Sequence, residues 1–156
     1  MSKTCEHQHN CIKELKTDHE EILKKLDLLK KAADGSEIDK KQVKEFLHFT
    51  ETFAEPHHKK EEEVLFPELE KKGIPKEGGP IGVMLLEHEK KRNHVRKLKE
   101  ALNEDNESQI KESSLAIISL LQDHINKEND CLYPMAEEVL SKEDLSNLAH
   151  RCQQLK

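Results

Sequence analysis

The chain has 156 residues, 34% of them hydrophobic and 37% charged, with a formal net charge of −6. Aromatic residues make up 3%, which disfavours an all-β fold, and the lysines are interleaved with glutamates, so we expect no nucleic-acid surface. No apolar run reaches the length of a membrane span and no signal-peptide pattern is visible, so we expect a cytoplasmic protein without a membrane association.

Residues 1–11 are predicted to form a flexible tail that carries a small cluster of cysteines and histidines. The cluster consists of Cys5, His7, His9 and Cys11. Its spacing matches no closed zinc motif, so a mobile tail and a second metal-binding site both stay open. The first amphipathic helix is predicted over residues 12–33 from apolar residues at three- and four-residue spacing. His19 falls on its apolar stripe and is expected to point into the core.

A second helix is predicted from near Glu37 to Lys71, and its apolar stripe includes His57 and Glu61. His58 lies about 100° further round the helix, away from the apolar stripe. Pro56 is expected to kink the helix or to be absorbed as a local distortion just before the site.

A third helix over residues 81–102 again places a single histidine, His88, at a core position. The fourth helix covers residues 110–132 and has His124 and Glu128 on its buried face. Ser141 is the predicted N-cap of a short C-terminal helix. These elements predict an all-α fold: an antiparallel up-down four-helix bundle formed by residues 12–156.

One pattern occurs twice at identical spacing. The stretches that begin at His57 and at His124 both read H-x-x-x-E-x-x-x-L-[F/Y]-P-x-x-E and are 67 residues apart. His19 and His88 are separated by a similar distance, 69 residues. The chain is therefore predicted to contain two copies of a helical pair, related by an approximate two-fold axis.

A histidine and a glutamate four residues apart lie on one helical face. The two repeats, together with the two single histidines, direct six ionisable side chains into one interior, where they are costly unless they are paired or bind metal. We therefore predict a dinuclear metal site in which each metal takes two imidazoles and the carboxylates bridge. Mixed imidazole and carboxylate ligands favour iron, while zinc and manganese stay possible. The predicted ligands are His19, His57, Glu61, His88, His124 and Glu128.

Neighbouring polar residues allow two interpretations. Glu87 could assist the site, but a solvated helix face is the favoured interpretation. Asp18 precedes a predicted ligand, and any help from it would go to another helix. Tyr133 could donate a hydrogen bond near the metals, with simple packing as the default. Cys131 is expected to be a buried structural thiol, and all four cysteines are expected to be reduced.

These motifs resemble those of the hemerythrin-like family, also called the HHE cation-binding domain. The resemblance rests mainly on the stretches at residues 57–67 and 123–129 and extends from about Ile12 to Glu138. It implies a non-haem di-iron site in an antiparallel four-helix bundle. By position, the four histidines would be terminal ligands, and Glu61 and Glu128 would bridge two iron ions.

The chain departs from the oxygen-carrying members of that family at two positions. Arg92 stands where those members have a fifth histidine, and Asn129 stands where they have a bridging aspartate, so reversible oxygen carriage is not the expected role. Arg92 could instead enter the cavity and favour bound anions, or extend to solvent. The ligand set resembles the branch that includes nitric-oxide-responsive iron–sulfur repair proteins and the iron-sensing domain of a ubiquitin ligase.

The resemblance implies a protein that binds or reacts with dioxygen, nitric oxide or peroxide in iron, oxygen or nitrosative-stress handling. The alternative is an iron- or oxygen-sensing module without turnover, whose protein partner the sequence does not identify. A ferritin-like oxidase ranks low because its E-x-x-H pairs are not repeated here. A metal-free structural bundle would have to tolerate six buried ionisable groups.

Overall fold

The computed structural model describes residues 9–155, which form five helices and contain no strand. The helices are α1 (Cys11–Asp34), α2 (40–71), α3 (Pro80–Asn103), α4 (107–139) and α5 (Lys142–Gln153). Helix α1 packs against α2 and α4, and α3 packs against the same two helices, so the first four helices close into a bundle. This confirms the predicted all-α bundle with a short C-terminal helix, which packs against α1 and α2.

The helix starts follow from side-chain caps. The side chain of Asn10 accepts hydrogen bonds from the backbone amides of Ile12 and Lys13 at the start of α1, which satisfies amides that lack a partner within the helix. Ser141 caps α5 as predicted, and its capping box is completed by Asp144. Within residues 9–155, no helix combines the length and apolar character needed to cross a bilayer.

Helices α2 and α4 are interrupted by widened turns in which the backbone hydrogen bond spans five residues instead of four. Each widened turn is followed, after one residue, by a proline. The turns are Thr50–Ala54 before Pro56, Glu61–Leu65 before Pro67, and Glu128–Leu132 before Pro134. Proline lacks an amide hydrogen and clashes with the carbonyl four residues earlier, and a wider turn relieves both effects. The distortion predicted at Pro56 is therefore present and recurs in the two motif repeats.

The bundle interior has two apolar layers with a polar layer between them. One layer contains Leu15, Phe66 and Met84 and reaches the C-terminal helix. The other contains Leu26 and Leu98 and fills the opposite end. Burying each such side chain contributes about 1.5–3 kcal/mol. The two layers stabilise the bundle and also shield the polar layer from water.

Candidate metal centre

The polar layer contains all six predicted ligands. They come from four helices: His19 from α1, His57 and Glu61 from α2, His88 from α3, and His124 and Glu128 from α4. None of them is more than 2% exposed to solvent. The sequence prediction therefore identified a set of residues that the fold brings together.

The six side chains form two overlapping groups of four, and in each group the potential ligand atoms lie within 4.8 Å of one another. One group is His19, His57, Glu61 and Glu128, and the other is Glu61, His88, His124 and Glu128. Below, these are called the α1/α2 group and the α3/α4 group, after the helices that supply their histidines. Because Glu61 and Glu128 belong to both groups, their carboxylates lie where they could bridge two cations.

Five inward-facing atoms of the cluster lack the partners that burial normally demands, whereas Nε2 of His19 lies 3.0 Å from Oε1 of Glu128. Among residues 9–155, no hydrogen bond is made by Nε2 of His57, His88 or His124, by Oε1 of Glu61 or by Oε2 of Glu128. Unpaired polar atoms in an apolar interior are costly. Imidazole nitrogens and carboxylate oxygens that converge in this way form a donor set suited to a transition-metal cation.

The opposite nitrogen of each predicted histidine ligand is held by an acceptor on a neighbouring helix. Such bonds fix the ring orientation and turn Nε2 towards the centre. The Nδ1 pairs are His19 with Asn129 (2.9 Å), His57 with Asp18 (3.0 Å), His88 with Glu62 (2.6 Å) and His124 with Glu87 (2.9 Å).

These outer acceptors follow the internal repeat. Asp18 and Glu87 each precede a histidine and bind the histidine of the next helix. For Asp18 this agrees with the expectation that its help would go to another helix. The expectation of a solvated Glu87 is wrong, since it is 8% exposed and is also bonded to Lys127. Glu62 and Asn129 each follow a glutamate of the motif and bind a histidine in the other half of the chain.

The family profile described as the hemerythrin HHE cation-binding domain matches residues 10–136. The chain belongs to this family. No curated protein matches the chain significantly. For this hemerythrin-like domain, the buried histidine and glutamate cluster between the two apolar layers fits the cation binding that the family description names.

The buried charges of the hemerythrin-like domain compensate one another. Burial disfavours protonation of His88, but Glu61 and Glu62 outweigh it and raise the pKa of the imidazole to about 9. Burial likewise disfavours ionisation of Glu128, yet the surrounding His124 and His19 hold the pKa of that carboxyl well below its usual value. The centre is therefore an array of mutually dependent charges.

Tyr133 contributes a hydrogen bond as well as packing. Its hydroxyl donates to Oε2 of Glu61 at 2.7 Å, and its ring stacks on His19 with the centroids 5.3 Å apart. Burial, followed by the charges of Glu128 and Glu61, raises the pKa of the phenol well above its usual value. Tyr133 therefore remains a neutral donor that orients one of the shared carboxylates.

His58 corrects the sequence prediction. It is 2% exposed and not directed to solvent, and its ring centroid is 4.2 Å from that of His88. Because α2 contacts both α1 and α3, a step of 100° turns the side chain from one neighbour to the other and not out of the bundle. Among residues 9–155, neither nitrogen of His58 has a hydrogen-bond partner.

The positions of Arg92 and Cys131 also differ from what the sequence analysis expected. Arg92 neither enters the cavity nor extends freely to solvent, because its guanidinium binds Glu55, Glu62 and Glu89. Cys131 is exposed, which contradicts the buried assignment. The widened turn that contains it directs the residue outward. Cys11, Cys131 and Cys152 are free thiols, whereas Cys5 and His7 of the predicted tail lie outside the described residues.

Replacing Asp18 with alanine is expected to weaken metal binding by roughly 10- to 100-fold, because His57 loses the acceptor that orients it. Competition with a chelator of known affinity would measure the change. Asp123 is the matched control, since it also precedes a predicted histidine ligand but its side chain is 65% exposed. Equal effects of the two substitutions would contradict an orienting role for Asp18.

Proposed function

We propose that this hemerythrin-like domain binds two iron ions, one in the α1/α2 group and one in the α3/α4 group. The observation that carries the proposal is the sharing of Glu61 and Glu128 by both groups. Each group then supplies two imidazoles and the same two carboxylates, a mixed nitrogen and oxygen set that suits iron and is compatible with zinc or manganese.

The proposed role is to bind or react with dioxygen, nitric oxide or peroxide in iron, oxygen or nitrosative-stress handling. When bound, iron supplies redox chemistry and open coordination positions for such ligands. The protein positions the histidines through Asp18, Glu62, Glu87 and Asn129, and Tyr133 fixes Glu61 by its hydrogen bond. The two apolar layers exclude water from the polar layer that contains the six side chains, which strengthens the electrostatic interactions within that layer.

Metal analysis of protein purified from iron-supplemented cells, combined with visible spectroscopy, tests the proposal. We expect about two iron ions per chain, as the two groups imply, and an absorption that changes when dioxygen, nitric oxide or peroxide is added. A single bound ion would contradict the dinuclear assignment. Two zinc ions that iron cannot replace would contradict the metal identity and the proposed redox role.

A second candidate function is an iron- or oxygen-sensing module without turnover. It is favoured by the complete burial of Glu61 and Glu128, each 0% exposed, because the metal state then directly affects the stability of the bundle. We take the bundle as the sensing unit; it includes Cys11, which was predicted to belong to the tail but begins α1 and is 1% exposed. Rapid, repeated consumption of peroxide or nitric oxide would favour the reactive role, whereas metal-dependent stability without turnover would favour sensing.

A further inference from the structure

The two halves of the repeat differ in polarity beside the centre. His58 and Lys91 correspond in the other half to Ile125 and Ile22, at the same 67- and 69-residue separations. Both isoleucines are 2% exposed and belong to the apolar layer. The α3/α4 group thus has two buried polar neighbours at positions where the α1/α2 side has only hydrocarbon.

Lys91 is 1% exposed, although lysine is almost never fully buried unless it is paired. The one carboxylate near it among residues 9–155 is that of Glu55, whose Oε1 is 3.9 Å from Nζ, beyond hydrogen-bonding distance. Glu55 already accepts two hydrogen bonds of 2.9 Å from Arg92. The carboxylate closest to the ammonium of Lys91 is therefore already hydrogen-bonded to Arg92.

Lys91 lines a surface pocket of about 240 Å³ whose other cationic lining residues are Arg92, Arg96 and Lys99. Thr50 lines the same pocket, and its Oγ1 is buried and has no hydrogen-bond partner among residues 9–155. Two glutamates, Glu51 and Glu55, also line it, so the cations exceed the anions by two. The pocket lining thus combines an excess of cations over anions with one buried hydroxyl that lacks a hydrogen-bond partner.

This pocket lies beside the α3/α4 group. Lys91 follows His88 by about one helical turn on α3, and both side chains are buried. The other buried polar neighbour, His58, lies against the ring of His88. Lys91 therefore lines the pocket and is adjacent on its helix to one histidine of the α3/α4 group.

We propose that the pocket at Lys91 and Thr50 is a binding site for a small monovalent anion, placed beside the α3/α4 group. The ammonium of Lys91 and the hydroxyl of Thr50 would supply hydrogen bonds that an anion accepts. The site depends on neither metal identity nor turnover and goes beyond the proposed di-iron function. In the sequence analysis, Arg92 was a residue that could favour bound anions. Arg92 is paired with glutamates, and the proposal assigns this role to its neighbour Lys91.

The test is calorimetric titration of the full-length, metal-loaded protein with sodium nitrite and sodium azide at constant ionic strength. We expect saturable binding that Lys91→Met weakens by about ten-fold or more, because a charged hydrogen-bond donor is lost. The adjacent Lys90, which is exposed, provides the control variant Lys90→Met, expected to bind as the wild type does. Equal affinity of the Lys91→Met and Lys90→Met proteins would overturn the proposal.

A second pair of variants covers the case in which Lys91→Met does not fold. Thr50→Val preserves side-chain shape and should weaken nitrite binding. Ser114→Ala removes another buried hydroxyl without a partner that lies outside the pocket lining, and should leave binding unchanged. Anion affinity that is unaffected by Thr50→Val and disappears when a chelator removes the metal would assign the anion to the metals alone and reject the pocket.

Discussion

Replacing Glu61 with alanine is expected to reduce the bound metal from about two ions per chain to less than one, because both four-residue groups lose the same ligand. Glu128→Ala should have the same effect, since its carboxylate is also common to both groups. Elemental analysis of each purified variant, normalised to protein concentration, measures the change. No single histidine substitution should have so large an effect, because each histidine belongs to one group.

Glu63→Ala is the matched control for this experiment. Glu63 lies in the same widened turn as Glu61 but is exposed, so its substitution should leave the metal content unchanged. Circular dichroism of each variant would establish that the helices persist. A folded Glu61→Ala protein that retains two metal ions would show that this carboxylate does not bridge.

Removing the metal with a chelator is expected to lower the midpoint of thermal unfolding by roughly 5–10 °C. A cation present at a hundred times its dissociation constant stabilises a fold by about 2.7 kcal/mol, and 1 kcal/mol shifts the midpoint of a domain of this size by about 2–4 °C. The physical reason is that a bound cation satisfies buried atoms that otherwise have no partner. Calorimetric scans with and without chelator give the shift directly.

Chelation should also change the stability of the Glu61→Ala variant much less than that of the wild type, because that variant has little metal to lose. This comparison separates removal of the bound metal from any general effect of the chelator. An unchanged midpoint in the wild-type protein would mean that the cluster is compensated without a cation, and would support a structural role for the buried charges.

The sequence was sufficient to predict the bundle and to identify the six residues that converge in it. Helical spacing placed His19 and His88 on the apolar stripes, and the duplicated motif placed His57 and His124 at equivalent positions. These predictions succeeded because a stripe of apolar residues on a helix must face the core. The distortion was predicted only at Pro56; the widened turns before Pro67 and Pro134 were not predicted, although the proline shared by the two repeats is a residue that an undistorted helix would not accommodate.

The burial of His58, Glu87 and Lys91 was not predicted from the sequence. The reason is that a helix in a four-helix bundle contacts two neighbouring helices on its inner side. Residues adjacent in sequence, such as Glu87 and His88, are both buried but face different helices: Glu87 bonds to His124 on α4 and His88 to Glu62 on α2. A single narrow stripe cannot represent this arrangement. The paired order of acidic residue and histidine in both halves was the signal that could have revealed it.

The links between the outer acceptors and the histidines have a thermodynamic consequence. Asp18 and Glu87 act within their own halves, whereas Glu62 and Asn129 reach across to the other half. Each four-residue group likewise includes a carboxylate from the opposite half. The chain is thus equivalent to a dimer of helical hairpins joined covalently, and under the proposed function the association of the hairpins and metal binding would be reciprocally linked. By this linkage, metal binding would strengthen the association of the hairpins by the same factor by which that association strengthens metal binding.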